Sequence, residues 1–280
     1  LVRHDAVPNE GDLFERMLTA FGESLDTTGP ADRERPAELS LEVAELLGRR
    51  TAELHGALAG ARAPGMTPLP FALDWQEVLL DELRAAVTET QRALLRAGVG
   101  SAPELLEPVD RVLRRFEPLH DTRLEAMRIR VHGDLHLGQI LWTGDDIVFI
   151  DFEGEPGRPM RERHELRSPL IDLAGLLRSI DYAGRIALDR AAARGQLAAD
   201  GRDGVAELHE AWMRELGRTV TESYLATVPP GLVPSDRDAA DLLLAVFLLQ
   251  KGLYEVRYEL SNRPAWVHWP LSAVVEMIQP

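Results

Sequence analysis

The stretch from Val131 to Asp151 constrains this chain more than any other. It reads Val-His-Gly-Asp-Leu-His-Leu-Gly-Gln-Ile-Leu-Trp, then Thr-Gly-Asp-Asp, then Ile-Val-Phe-Ile-Asp. Two short apolar runs flank a turn signal at Thr143–Asp146, so the segment is predicted to fold as a β-hairpin. Three oxygen-bearing side chains, Asp134, Gln139 and Asp151, are thereby arranged around it. Few chain courses satisfy that arrangement.

The chemistry that needs such a set is phosphoryl transfer. Moving a γ-phosphoryl group asks for positioning and for neutralisation of phosphate charge rather than for covalent work by the protein. One carboxylate must meet an acceptor hydroxyl. Further oxygen ligands must hold Mg²⁺, a small hard cation that keeps waters and phosphate oxygens in its shell. In the protein-kinase pattern an Asn metal ligand follows the catalytic Asp by five positions, and a second metal-binding Asp closes the next strand. Asp134 and Gln139 have that offset, with Gln for Asn, and both amides offer an oxygen. Asp151 closes the strand Ile147–Ile150 and is followed by Phe152-Glu153-Gly154, where the kinase pattern has Phe-Gly.

Composition narrows the partners. With 46 acidic and 31 basic residues the formal charge is −15, which argues against nucleic acid or an anionic membrane and favours a small neutral or cationic substrate. Mg²⁺ brings its own positive charge, so an acidic protein can still handle phosphate. No run of about 18 apolar residues occurs, so no membrane-spanning helix is expected. There is no cysteine, which removes disulfides and thiolate metal sites. No signal-peptide core is seen, and a cytoplasmic location is the default.

Helical periodicity dominates the rest. Helices are expected from Asp12 through Phe21, from Ser40 to Gly60, from a capping box at Asp74 and Glu77 through Leu94, and from Ser101 through Phe116, with Pro108 as a kink or break. A short helix from Asp121 to Arg128 is expected to lead into the hairpin segment. Further helices begin at Ser168-Pro169, run through Val205–Tyr224 to Pro229, and run from Ser235 or Asp236 to about Leu260. Thr27–Pro36 and Glu153–Pro159 read as loops, and His55 reads as structural or merely exposed.

His132-Gly133-Asp134-Leu135-His136-Leu137-Gly138-Gln139 resembles the signature of the aminoglycoside-phosphotransferase-like small-molecule kinases, which have the bilobal eukaryotic-type kinase fold. The run Asp151–Pro156, with Arg158-Pro159, Ser168-Pro169-Leu170 and Asp172–Tyr182, resembles bacterial maltokinases. Val7–Asp12 is similar to the segment after the hinge in that family, and Lys251–Glu259 with Asn262–Trp266 to its C-terminal signature.

The resemblance implies a mainly α chain with a short β-hairpin at the catalytic loop, the large C-terminal lobe of a protein-kinase-like fold. Residues 1–12 would follow the hinge, and 13–280 would form the helical lobe, with catalysis and metal binding in 129–155. The chain begins with Leu, its one lysine is Lys251, and no glycine-rich loop or strand lysine precedes His132. The small lobe is therefore expected to be absent from this chain.

The implied activity is ATP- and Mg²⁺-dependent phosphorylation of the anomeric hydroxyl of maltose, for α-glucan metabolism, in some members fused to trehalose synthase. Asp134 would be the base, Gln139 and Asp151 the metal ligands, and His132, His136 and Asp172 loop supports. Lys251, Tyr254, Glu255 and Tyr258 would face the sugar. Alternatives remain open: glucosamine or an aminoglycoside as acceptor, or a non-catalytic interaction lobe. His136 is read as loop support rather than a phosphate contact, Arg158, Arg161 and Arg163 as surface ion pairs, and Glu153 equally as metal helper or spacer. A transition-metal site of His132, Asp134 and His136 lacks a zinc-type ligand pattern.

Overall fold

A computed structural model describes residues 9–26, 40–120, 122–155, 157, 159–195 and 202–279. The loop expected at Thr27–Pro36 lies outside the described residues, as do Val7, Pro8, Asp121, Pro156 and Arg158. The chain divides into two compact units. The first holds the described residues of Leu1–Thr67, Arg130–Glu165 and Gly175–Pro229; the second holds those of Pro68–Ile129, Leu166–Ala174 and Pro230–Pro280.

In the first unit, α1 (Leu13–Asp26) starts where Asp12 Oδ1 accepts the Glu15 N–H at 3.1 Å, and α2 (Leu41–Gly60) starts where Ser40 Oγ accepts from Val43. These side chains satisfy donors that a helix start leaves without intrahelical partners. α2 packs along α7 (Arg202–Thr227). The two backbones approach closely at Gly48, where a Cβ would lie 2.3 Å from the Val220 carbonyl oxygen. His55 Nδ1 and the Tyr224 hydroxyl, both fully buried, are 2.8 Å apart, so of the two readings of His55, structural or exposed, the structural one holds.

The hairpin also belongs to this unit. β3 (Ile140–Trp142) pairs antiparallel with β4 (Ile147–Phe149), Leu141 opposite Val148. Glu10 N–H donates to Trp142 O at 2.8 Å and Trp142 N–H to Gly11 O at 3.1 Å, so the segment before α1 extends the ladder along β3. Leu13 and Met17 of α1 are fully buried, and that helix packs on β3 and on the turn before it.

The second unit is built on α3 (Leu73–Ala97) packed against α8 (Arg237–Asn262), with α9 (His268–Ile278) on α8. Asp236 caps α8 through the Ala239 N–H, settling the choice between Ser235 and Asp236. Arg257 of α8 donates to Ala86 O at 3.1 Å and to Thr90 Oγ1 at 2.7 Å on α3.

Three local expectations are corrected here. The capping box at Asp74 and Glu77 does not form: Ala72 occupies the cap without a side-chain bond. The preceding residue, Phe71, still pairs through its N–H with Ala126 O, which leaves Asp74 inside the first turn, where its charge suits the helix dipole. The helix expected from Asp121 to Arg128 is irregular chain over Thr122–Ala126 followed by β2 (Met127–Arg128), paired antiparallel with β1 (Leu69–Pro70). Its backbone groups go to distant partners, Leu124 N–H to Gln76 Oε1 and Met127 N–H to Leu232 O. Between Ser101 and His120 no single helix runs. Pro108 sits at the N-terminal cap of the short α4 (Val109–Val112), and a 3-10 segment, Arg114–His120, follows with Pro118 inside it.

Candidate active site

Asp134, Gln139 and Asp151 all belong to the first unit, on one short course of chain. The loop before the hairpin is tied at several points. His132 is fully buried, and its Nε2 lies 2.8 Å from the Ile150 carbonyl. A carbonyl only accepts, so Nε2 carries the hydrogen, and Nδ1 is left to accept the Asp134 N–H at 3.4 Å. One ring thus links the residue before Asp151 to the backbone of Asp134. Its face meets Phe152, ring centroids 4.7 Å apart.

His136 serves the same loop. Its Nδ1 accepts from Gly138 N–H at 3.1 Å and its carbonyl accepts from Gln139 N–H at 2.9 Å. Together these bonds close the 3-10 turn Leu137–Gln139 that presents Gln139. Gln139 O in turn receives the Ile150 N–H at 3.0 Å, so the turn registers directly on the end of β4.

Asp151 has φ 61°, a non-glycine residue at positive φ. Its short polar side chain makes it one of the few residue types that tolerate this conformation. The kink sends the chain out of the strand, and Gly133 and Gly154 meet closely beneath it, with a Cβ at Gly133 3.5 Å from Gly154 Cα. Arg130 ties down the segment after the kink through the carbonyls of Phe152 and Arg163.

The Gln139 amide nitrogen lies 3.2 Å from Asp151 Oδ2. Amide nitrogen and oxygen are near-isosteric, and a half turn of the amide brings its oxygen to the carboxylate instead. Two oxygen donors then converge at an exposed spot, a set that fits Mg²⁺. Asp134 is half-buried on the same course.

A further anchor was not legible in the sequence. Arg50 of α2 makes a bidentate pair with Asp146 at the hairpin tip, Nε to Oδ1 at 2.8 Å and Nη2 to Oδ2 at 2.7 Å. The pair holds the Asp146 carboxyl below the usual carboxylate range, chiefly through the hydrogen bonds from Arg50. The partners are 96 positions apart, so no local pattern joins them.

The other expected site residues lie in the second unit. Asp172 is buried in the first turn of α6 (Leu170–Ala193). Lys251, Tyr254, Glu255 and Tyr258 follow one another along α8. Lys251 Nζ sits 5.0 Å from the Tyr254 ring centre, and the Tyr254 and Tyr258 rings stack at 6.2 Å. Tyr258 is 44% exposed, enough to offer a ring face to a ligand.

The sequence matches the phosphotransferase enzyme family, APH, over residues 14–208, and the chain belongs to that family. Among similar proteins, the glucosamine kinase of Streptacidiphilus jiangxiensis is 28% identical over 247 residues, 86% of this chain and 51% of that protein. The glucosamine kinase of Mycolicibacterium smegmatis (strain ATCC 700084 / mc(2)155) is 25% identical over 261 residues, 91% of this chain and 58% of that protein. A solved glucosamine kinase in complex with glucosamine, ADP and inorganic phosphate superposes with a TM-score of 0.76 at 22% identity, covering 98% of this chain and 59% of that one. The fold is thus that of these kinases, mostly helical with few strands. The chain spans about half the length of the curated relatives it matches. Among the described residues no helix is long and apolar enough to cross a membrane.

Proposed function

We propose that this chain supplies the catalytic lobe of an ATP-dependent kinase that phosphorylates a hydroxyl of a small sugar, with glucosamine the favoured acceptor. The observation that carries the reading is the arrangement of Asp134, Gln139 and Asp151 about one hairpin, held by His132 and His136 in a chain of the phosphotransferase family. The resemblance of its α8 and post-Asp151 wording favours maltose. The similar proteins in hand are glucosamine kinases, and glucosamine, an amine, also suits a chain of net charge −15.

In this reading Asp134 accepts the hydrogen bond of the acceptor hydroxyl, orients its oxygen towards the γ-phosphorus of ATP, and takes up its proton as the new O–P bond forms and the bond from that phosphorus to the bridging oxygen breaks, releasing ADP. Gln139 and Asp151 would hold Mg²⁺, which neutralises charge on the phosphate oxygens. By the family resemblance Asp172 would support the loop. By the same resemblance Lys251, Tyr254, Glu255 and Tyr258 would offer hydrogen bonds and ring faces to the sugar. Specificity follows from which acceptor groups those side chains satisfy, because a buried polar group left unpaired is costly.

Maltose, with trehalose synthase as an associated activity, is the second reading and rests on the Asp151–Pro156, Lys251–Glu259 and Asn262–Trp266 wording. The test is direct. The full-length protein that carries this chain is incubated with ATP, Mg²⁺ and separately glucosamine, maltose and an aminoglycoside, and product is followed by phosphorus NMR. Phosphorylated glucosamine is expected. Turnover of maltose alone replaces the acceptor, and transfer to none of them refutes the sugar-kinase reading.

A further inference from the structure

The catalytic course is seated on α6 at two points one helical turn apart. At Gly175 an added Cβ would lie 2.4 Å from the carbonyl oxygen of Leu135 and 3.6 Å from its carbon. Both residues are buried and the obstructing atom is backbone, so nothing there swings aside. Only glycine allows this approach. Four positions on, Ser179 Oγ accepts the Leu137 N–H at 3.0 Å.

The two contacts straddle His136. Leu135 directly follows Asp134, and Leu137 opens the 3-10 turn that ends in Gln139. Leu135 is 2% exposed and Leu137 fully buried, and the hydrogen bond from Leu137 to Ser179 is part-buried. Residues four apart on a helix lie on the same face. One face of α6 thereby fixes the backbone beside the carboxylate and the backbone of the turn bearing the amide.

We infer that Gly175 and Ser179 are positioning residues for phosphoryl transfer, Gly175 setting the place of Asp134 and Ser179 the place of the Gln139 amide. The inference rests on the roles proposed above for Asp134 and Gln139. Neither residue touches substrate in this account. Their effects are separable, because one acts on the residue after the base and the other on the turn carrying a metal ligand.

The variants are Gly175→Ala, Ser179→Ala and Ser179→Thr, with Ser223→Ala as control. Ser223 Oγ also makes a helix-to-helix hydrogen bond, 2.7 Å to Glu45 O, away from this loop. Three quantities are read in the full-length protein: Mg²⁺ binding by calorimetry with ADP present, kcat and KM for the sugar, and thermal unfolding. Ser179→Ala is expected to weaken Mg²⁺ binding about 10-fold or more, the usual effect of losing a group that supports a metal ligand. Ser179→Thr, which keeps the hydroxyl, restores it, and Ser223→Ala leaves it unchanged. Gly175→Ala is expected to lower kcat about 100-fold through a displacement approaching 1 Å, with Mg²⁺ binding retained.

Equal Mg²⁺ affinity in wild type, Ser179→Ala and Ser179→Thr overturns the inference, as does an equal loss in Ser223→Ala. If Ser179→Ala fails to fold, Ser179→Cys, whose sulfur is a weak acceptor, takes its place under the same criterion. A wild type that binds Mg²⁺ with ADP and phosphorylates no sugar sinks the acceptor reading, while the calorimetric comparison still decides the role of Ser179.

Discussion

Replacing His132 by leucine isolates what the buried ring contributes. Leucine is apolar and of similar bulk, so the change removes two hydrogen-bonding nitrogens more than it removes volume. The Ile150 carbonyl loses its donor at 2.8 Å in a fully buried setting. An unsatisfied buried group costs about 1–3 kcal/mol. In a domain of this size each kcal/mol moves the melting temperature by roughly 2–4 °C, giving a fall of about 2–12 °C. The same ring links Ile150, the residue before Asp151, to the backbone N–H of Asp134. Its loss is therefore expected to reduce kcat about 100-fold, the scale of a 1 Å misplacement. His132→Gln, long enough to present an amide N–H to Ile150 O, recovers part of the stability. Thermal melts and steady-state kinetics on the three proteins test this. A leucine variant that melts within about 1 °C of wild type and turns over within about twofold refutes the reasoning.

Two further outcomes follow from the first unit. His209, buried on α7 with Nε2 2.9 Å from Gly184 O, has its pKa lowered chiefly by burial; Gly184 O and Asp181 oppose the shift and Arg185 adds to it. The unfolded ring takes up its proton near 6.5 and the folded one only at lower pH, so its stabilisation is complete above 6.5 and is lost as pH falls below that value. Urea melts from pH 7 to pH 5 are expected to show that slope, and His209→Gln a flatter one; parallel slopes contradict the assignment. Gly48→Ala places a methyl 2.3 Å from Val220 O and 2.8 Å from Tyr224 N. Forcing α2 from α7 is expected to cost about 1–3 kcal/mol in chemical denaturation, and an unchanged midpoint would show that the helices part freely.

The sequence carried the local features and little of what joins them. Helix starts at Asp12 and Ser40, and to within one residue at Asp236, were readable because each is a short polar side chain ahead of a periodic apolar run. The hairpin was readable from its turn residues, and Gln139 and Asp151 came out adjacent because a hairpin brings its two outer ends together. β1 and β2 were not readable. Two residues each is too short for any alternation, and their partners lie more than fifty positions apart. The irregular course at Thr122–Ala126 was missed because Gln76 bonds the Thr122 carbonyl and the Leu124 N–H and Phe71 bonds the Ala126 carbonyl, partners that no local window contains. The supports of the site follow the same rule. The hydrogen bonds of His132 and His136 stay within the loop and hairpin; Arg50, Gly175 and Ser179 reach that segment from other helices, and a Gly or Ser within a helix gives no sign of the carbonyl or amide it will meet.

That division bears on how acceptor choice is encoded. Under the proposed roles the loop carrying Asp134 would serve any hydroxyl, and specificity would rest on groups such as those along α8. There the ring stack of Tyr254 and Tyr258 and the cation over it offer apolar faces and donors together. Exchanging acceptors is expected to require changes on α8 and none in His132–Gln139.

The central claim is that Asp134 takes the acceptor proton. Asp134→Asn keeps the shape of the side chain and the backbone hydrogen bond to His132 while removing the basic oxygen. The decisive measurement is the single-turnover rate of phosphoryl transfer from ATP to glucosamine, in the full-length protein, for wild type and Asp134→Asn. The account predicts a loss of about 100-fold or more, the contribution of a positioned base, with ATP binding and melting temperature unchanged. A variant that transfers phosphate at close to the wild-type rate would contradict it.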